Sequence, residues 1–474
     1  MTAPPAAKAT TLTGLSPTDP AAIAAPWPRS GPHSLTGPHS LTGHDRDSPP
    51  AAPAAGKTRL AWLDALRGLA ALGVVYEHLG ARVLPRLHTI VFRAFDPGLW
   101  GVLVFFLISG YIVPASLERR GDVRDFWISR LCRLFPLFAF AIAVTLVLHA
   151  AGLTSLRGTS SDLSAAILAH LVMLSDLLAG TNLIVVIWTL SYEMVFYLLL
   201  TALFTAGLHR RSGSLATAFG AGALLLGGVL PTSWLSYHTL GQTAIALIAD
   251  LAVVSGLVLV IATQGRSRLL GAWLAAGTGL VLVVLNERRF AYEGLTILAL
   301  MFTGTLIYRA QQRQVSRRRA AVIVAGVFAA AIAAGAWHIP ALVSAGVAAE
   351  QQHDWIGSVV LAGLTFGLGL AVQHLRVPRV LAWLGLVSYS VYLMLPLLLD
   401  VYDSLPFPAS YHRDAWLQAA ASLVFVVVLL GCAAATHYLI EAPMQRLGRR
   451  IATAPEHARG RRRAQLLRRP LLHY

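Results

Sequence analysis

From about residue 60 onward the chain is a succession of apolar runs separated by short polar stretches. Each run is roughly 20 residues long, enough to cross the hydrocarbon core of a bilayer as a helix. The runs are rich in Leu, Ala, Val and Gly and do not alternate apolar with polar positions, which sets them apart from the strands of a membrane β-barrel. The pattern predicts spans at about 60–80, 98–117, a third ending near 152, then 185–208, 215–231, 242–263, 269–286, 293–309, 320–337, 355–374, 381–401 and 415–441. Residues 163–180 are less apolar and carry His170, Ser175 and Asp176, so they are expected to lie at the interface or re-enter rather than span. The fold class expected is all-α: a polytopic membrane helix bundle of about 10–12 transmembrane helices.

Composition agrees with that class. Of 474 residues, 56% are hydrophobic and 13% charged, where a soluble domain carries about 25% charge. The formal net charge of +16 does not point to nucleic acid, because most arginines stand in short loops and tails between apolar runs. The positive-inside rule accounts for them and predicts both termini on the cytoplasmic side of the plasma membrane. Three regions follow: a disordered Pro-, Ala-, Gly- and Ser-rich tail over 1–56 containing the repeat GPHSLT, a transmembrane domain over 57–445, and a basic tail over 446–474 suited to anionic lipid. Two cysteines, Cys132 and Cys432, give no disulfide framework, and no metal-ligand spacing is present. With no long stretch after the last span, chemistry is expected inside the membrane part.

Four constellations put polar groups where they are costly. The first span, RLAWLDALRGLAALGVVYEH, carries Asp64, Arg67, Glu77 and His78, and ionisable groups in such a segment normally face a bundle interior or cavity. Asp64 and Arg67 are three apart and can neutralise each other. His78 lies 19 residues beyond Arg59, about 28 Å along a helix, near the far side of the membrane, where an imidazole can act as a base. In FFLISGYIVP, Ser109 and Gly110 suit close helix packing, or a hydroxyl and bared backbone that hold a carbonyl oxygen. A charged loop, ERRGDVRDFWISRLCR, ends in Arg130 and Arg133, spaced i, i+3 on the opening turn of a helix. Two guanidiniums on one face fit a phosphate or pyrophosphate, and equally serve as cytoplasmic anchors. In IWTLSYEMVFYLLL, Glu193 sits within an apolar run beside Trp188, Tyr192 and Tyr197 and must be protonated or paired.

Taken together these segments resemble the acyltransferase-3 family of integral membrane O-acyltransferases. The pattern LDxLRGxAAxxVxxxH is matched by Leu63, Asp64, Leu66, Arg67, Gly68, Ala70, Ala71, Val74 and His78. FFxISGY, RxxRxxP and WxLxxExxFY follow in order at Phe105–Tyr111, Arg130–Pro136 and Trp188–Tyr197, and Ile440-Glu441-Ala442-Pro443 is similar to the closing signature. In SYSVYLMLP, Leu395 stands where many relatives carry His, and the soluble domain that some relatives append has no counterpart here. The resemblance implies transfer of an acyl group, acetyl foremost, from acyl-CoA to a hydroxyl of a cell-envelope carbohydrate, a glycolipid or a small natural product such as a macrolide. Acetyl-CoA would be a co-substrate, and no resident cofactor, metal or nucleic-acid partner is implied. With that chemistry His78 is expected to be catalytic, assisted by Glu193 and Asp64, either as the base in direct transfer or as the carrier of the acyl group in a ping-pong route. Arg67, Ser109, Gly110, Arg130, Arg133, Trp188 and Tyr197 are then expected to bind substrate. The alternative from another class is a proton-coupled transporter in which the same intramembrane groups form a relay. No second copy of the RGxAA…H or WxLxxE pattern follows residue 210, as repeated transporter halves would require.

Overall fold

The computed structural model describes residues 61–83, 85–154, 163–178, 182–406 and 415–452. The expected disordered tail over 1–56 and most of the basic tail lie outside them. Every regular element among the described residues is helical. In order these are α1 (Ala61–Val83), α2 (Pro85–Phe92), α3 (Pro97–Arg120), α4 (Val123–Ala150), α5 (Leu163–Leu171), α6 (Trp188–Thr205), α7 (Ser212–Leu226) and α8 (Trp234–His238). They continue as α9 (Gln242–Ala262), α10 (Gly265–Leu285), α11 (Ala291–Gln311), α12 (Arg317–Leu342), α13 (Ala345–Ala371), α14 (Arg379–Asp403) and α15 (Ala415–Thr436). A single π turn, His437–Glu441, carries α15 into a last helical stretch.

Ten of the described helices are long and apolar enough to cross a membrane. Helix α1 matches them in length, with 23 residues, but carries Asp64, Arg67, Glu77 and Arg82. The span expected at 215–231 is the 15-residue α7, about 22 Å long at 1.5 Å per residue and shorter than the roughly 30 Å core. The described residues 163–178 do not span: α5 has nine residues and gives way to a 3-10 turn at Ser175–Leu178. The side chain of Arg309, at the end of α11, hydrogen-bonds the carbonyl of His209 and pairs with Glu118 at the end of α3. The 209–213 loop therefore shares one end of the bundle with the ends of α3 and α11, as an interfacial 163–180 requires.

Helices α3, α6, α11 and α14 form the buried centre, with α1 packed between α3 and α14. Being apolar all round, α3, α6 and α11 have no outward polar face to offer and belong inside. Around them, α9, α12, α13 and α15 turn Leu251, Val322, Leu364 and Leu423 outward, an apolar belt that suits a bilayer and not water.

Small residues set the closest contacts. A Cβ on Gly110 would overlap the carbonyl of Met301, and one on Gly304 that of Leu107, so α3 and α11 meet backbone to backbone. The Thr305 hydroxyl donates to the Gly110 carbonyl at 2.8 Å across this seam. Overpacking costs about 1–3 kcal/mol where side chains can shift, and backbone cannot. Gly304→Leu is expected to abolish the monodisperse, detergent-solubilised species seen by size exclusion.

The charged stretch after α3 is not a loop. Gly121 takes a left-handed conformation and Asp122 caps α4 by accepting from the Arg124 N–H, so the break is two residues long. Arg130 and Arg133 consequently lie two to three turns inside α4 rather than on its opening turn.

Candidate active site

Helix α1 is continuous, so its polar groups divide between two places. Arg67 and His78 are 11 residues apart, about 16 Å along the axis, and Asp64 is farther. The expected contact of Asp64 or Arg67 with the His78 ring is therefore not made. Asp64 is buried beside α14, where Gly385 leaves room for its backbone, and its carboxylate lies 3.9 Å from the Arg67 guanidinium.

Arg67 faces a cavity of about 700 Å³ that Ser109, Arg130, Arg133, Glu193, Thr189, Tyr389 and Tyr392 also line. Two helices, α1 and α4, supply its arginines, and one lining carboxylate, Glu193 on α6, opposes them. Arg130 is buried, and its guanidinium lies 5.5 Å from the ring centres of both Phe126 and Tyr197. Its Nε has no hydrogen-bond partner. A buried guanidinium with an unpartnered Nε in a cationic cavity has the chemistry to bind an anion. Glu193 accepts from the Tyr197 hydroxyl and lies 3.4 Å from the Ser109 hydroxyl. Tyr197 thus sits beneath the cavity and holds Glu193, while Gly110 faces α11 and belongs to the helix seam, off the cavity wall.

His78 opens elsewhere, onto a second cavity of about 1190 Å³ at the opposite end of the bundle. Its Nδ1 lies 3.0 Å from the Val74 carbonyl. A carbonyl only accepts, so Nδ1 carries the proton and the Nε2 lone pair is left free, the tautomer a general base needs. Glu77 comes within 3.4 Å of the same Nδ1. Glu193, expected in the same half as His78, instead belongs to the arginine cavity. His78 also borders a smaller side cavity of about 630 Å³ with Arg82, Asn182 and Asp400.

The second cavity combines aromatic and charged walls: Trp188, Tyr292 and Trp355 with Glu77, Asp96, Arg289, Glu293 and Asp354. Asp96 caps α3 by accepting from the Gly98 and Leu99 N–H groups, and burial pushes its carboxyl above the usual range against those bonds. Arg289 stacks 3.8 Å over Trp188 and pairs with Glu293 at 3.2 Å. Burial opposes its charge, but Glu293 and Asp176 outweigh that and hold the guanidinium firmly protonated. Its loop is pinned from behind: Asn286 donates to the Leu177 carbonyl and the Ser236 hydroxyl, and Tyr192 donates to Glu287 at 2.6 Å.

Arg289 and Asp96 are lining residues outside the motifs, and Tyr389 and Tyr392 fall within SYSVYLMLP, where the sequence marked only Leu395. One signal was available for Arg289: in the expected topology Arg288 and Arg289 fall in a loop on the side that should be poor in arginine.

Residues 60–437 match the family of acyltransferase domains. Among curated proteins the chain is 30% identical over 165 residues to O-acetyltransferase OatA of Staphylococcus aureus, a match covering 31% of this chain and 25% of that protein. It is 27% identical over 160 residues to a putative acetyltransferase of Acidianus two-tailed virus, covering 34% and 44% of the two chains. The match thus spans less than half the length of either relative. No solved structure matches.

Proposed function

We propose, since the chain belongs to the acyltransferase-3 family of acyltransferases, that it is a membrane O-acyltransferase using acyl-CoA, with acetyl-CoA as the donor, and a hydroxylated acceptor. The observation that carries this is the pairing of a cationic cavity at one end of the bundle with a histidine-bearing cavity at the other, the two sharing Val102 and Tyr392. The arginine end faces the cytoplasm, where most loop arginines gather. CoA is a cytoplasmic polyanion, and Arg67, Arg130 and Arg133 offer it charge-assisted hydrogen bonds of about 1.5–3 kcal/mol each. The pantetheine arm reaches past Glu193 towards Tyr392, bringing the thioester to the second cavity.

There the acceptor lies against Trp188 and Tyr292 with its hydroxyl at His78. As the hydroxyl oxygen attacks the thioester carbonyl, His78 Nε2 takes its proton. A C–O bond forms, the C–S bond breaks, and the proton passes to the departing thiolate to give free CoA. Glu77 stabilises the imidazolium formed in between. The acceptor class is a carbohydrate, a glycolipid or a small hydroxylated natural product, all of which suit aromatic walls beside hydrogen-bonding carboxylates.

The test is release of free thiol from acetyl-CoA by membranes containing the protein, with a host-cell extract as acceptor source. The expected result is thiol release together with an acetyl-shifted mass in the extract. Solute flux across vesicles with no thiol release would favour a transporter and overturn the reading.

A further inference from the structure

Between the two cavities the described wall is thin and specific: Val102 on α3 and Tyr392 on α14 are the described residues that line both. Tyr392 is not free to drift. Its hydroxyl donates to the Val186 carbonyl, in the 3-10 turn just before α6, at 2.6 Å and meets the Thr189 hydroxyl, in the first turn of α6, at 2.9 Å. Its ring packs edge-on against Phe105 at 6.4 Å. Contacts from α3 and α6 thereby fix the α14 ring that lines both the arginine cavity and the cavity that holds His78.

We propose that Val102 and Tyr392 form a selectivity neck that sets which acyl groups are transferred, admitting short unbranched chains and rejecting those branched next to the carbonyl. This rests on the acyl-CoA reading given above. The argument is geometric. His78 lies beyond the neck and the arginines lie before it, so the acyl group must pass the neck ahead of the sulfur. An unbranched acyl chain is no wider than the pantetheine arm that follows it. A branch at the α-carbon adds width where Tyr392, held by two polar contacts, cannot retreat without losing both. A single methyl group against a packed wall discriminates by about ten- to two-hundredfold. The neck is thus a filter on the width of the acyl group and not on its length, since the second cavity beyond it is roomy.

The test compares initial thiol-release rates with acetyl-, butyryl- and isobutyryl-CoA for the full chain in membranes. Butyryl and isobutyryl have the same number of carbons, and isobutyryl exchanges one carbon of length for a branch next to the carbonyl. Wild type is expected to favour butyryl over isobutyryl by about tenfold or more. Tyr392→Ala, which opens the neck, is expected to bring that ratio close to one, and Val102→Phe, which narrows it, to raise that ratio further. Should Tyr392→Ala fail to fold, Val102→Phe and Thr189→Val carry the test, the latter by removing one of the two polar contacts of the Tyr392 hydroxyl and relaxing the ratio part-way. Unchanged ratios in folded, active variants would overturn the neck while leaving the acyltransferase reading intact. No thiol release from any acyl-CoA by folded wild type would overturn the donor reading, and the neck with it.

Discussion

His78→Ala is expected to reduce acyl transfer by about 10²–10⁴-fold, the usual contribution of a positioned general base, while leaving donor binding at the arginine cavity unchanged. The two effects separate because His78 does not line that cavity. The side chain is 24% exposed and makes one hydrogen bond, to a carbonyl of its own helix, so its removal costs little stability. The wild-type rate should fall as pH is lowered through the imidazole's titration, since protonated Nε2 cannot accept the hydroxyl proton. In His78→Ala that dependence should vanish. Rate against pH for both proteins, with CoA affinity measured separately, checks each part.

Arg130→Ala is expected to weaken acetyl-CoA binding by about ten- to a hundredfold, from the loss of roughly 1.5–3 kcal/mol of charge-assisted hydrogen bonding. Its effect on folding should have the opposite sign. Arg130 is buried, its Nε lacks a partner, and Arg67 and Arg133 line the same cavity. An uncompensated buried charge is a cost carried by the folded state. Arg130→Leu, which keeps the contacts to Phe126 and Tyr197, should therefore melt at or above the wild-type temperature while binding donor poorly. A stable but donor-blind variant is the signature of a group kept for its ligand; a variant that both unfolds and binds poorly would make Arg130 a structural residue.

What the sequence disclosed, and what it did not, follows from how far apart the interacting residues are. Charges within an apolar run are visible in one dimension, so Asp64, Arg67, His78 and Glu193 stood out before any fold was known. Helical geometry also gave the distance from Arg59 to His78, and the same rise puts Arg67 about 16 Å from His78, a separation that the expectation of one shared site overlooked. The two-cavity division needed the partners from α3, α6 and α14, because Tyr392 becomes a wall residue solely through Val186, Thr189 and Phe105, all far from it in sequence. The same holds for Gly110: in sequence it suits packing and substrate equally, and the Met301 carbonyl from α11 decides for packing. The α4 start was misread for a local reason. A run of charges resembles a loop, but Asp122 and Gly121 end one helix and start the next within two residues. Arg289 was hidden because its loop is ordered by Asn286 and Glu287, whose partners Ser236, Leu177 and Tyr192 lie elsewhere in the chain.

The central claim is that donor and acceptor meet from opposite ends of the bundle. It is tested most directly in sealed vesicles of known orientation, with radiolabelled acetyl-CoA supplied at one face and the acceptor at the other. The account predicts labelled acceptor when acetyl-CoA is at the Arg130 and Arg133 face and acceptor at the His78 face, and none when the two are exchanged. Transfer only when both substrates share one face would contradict it.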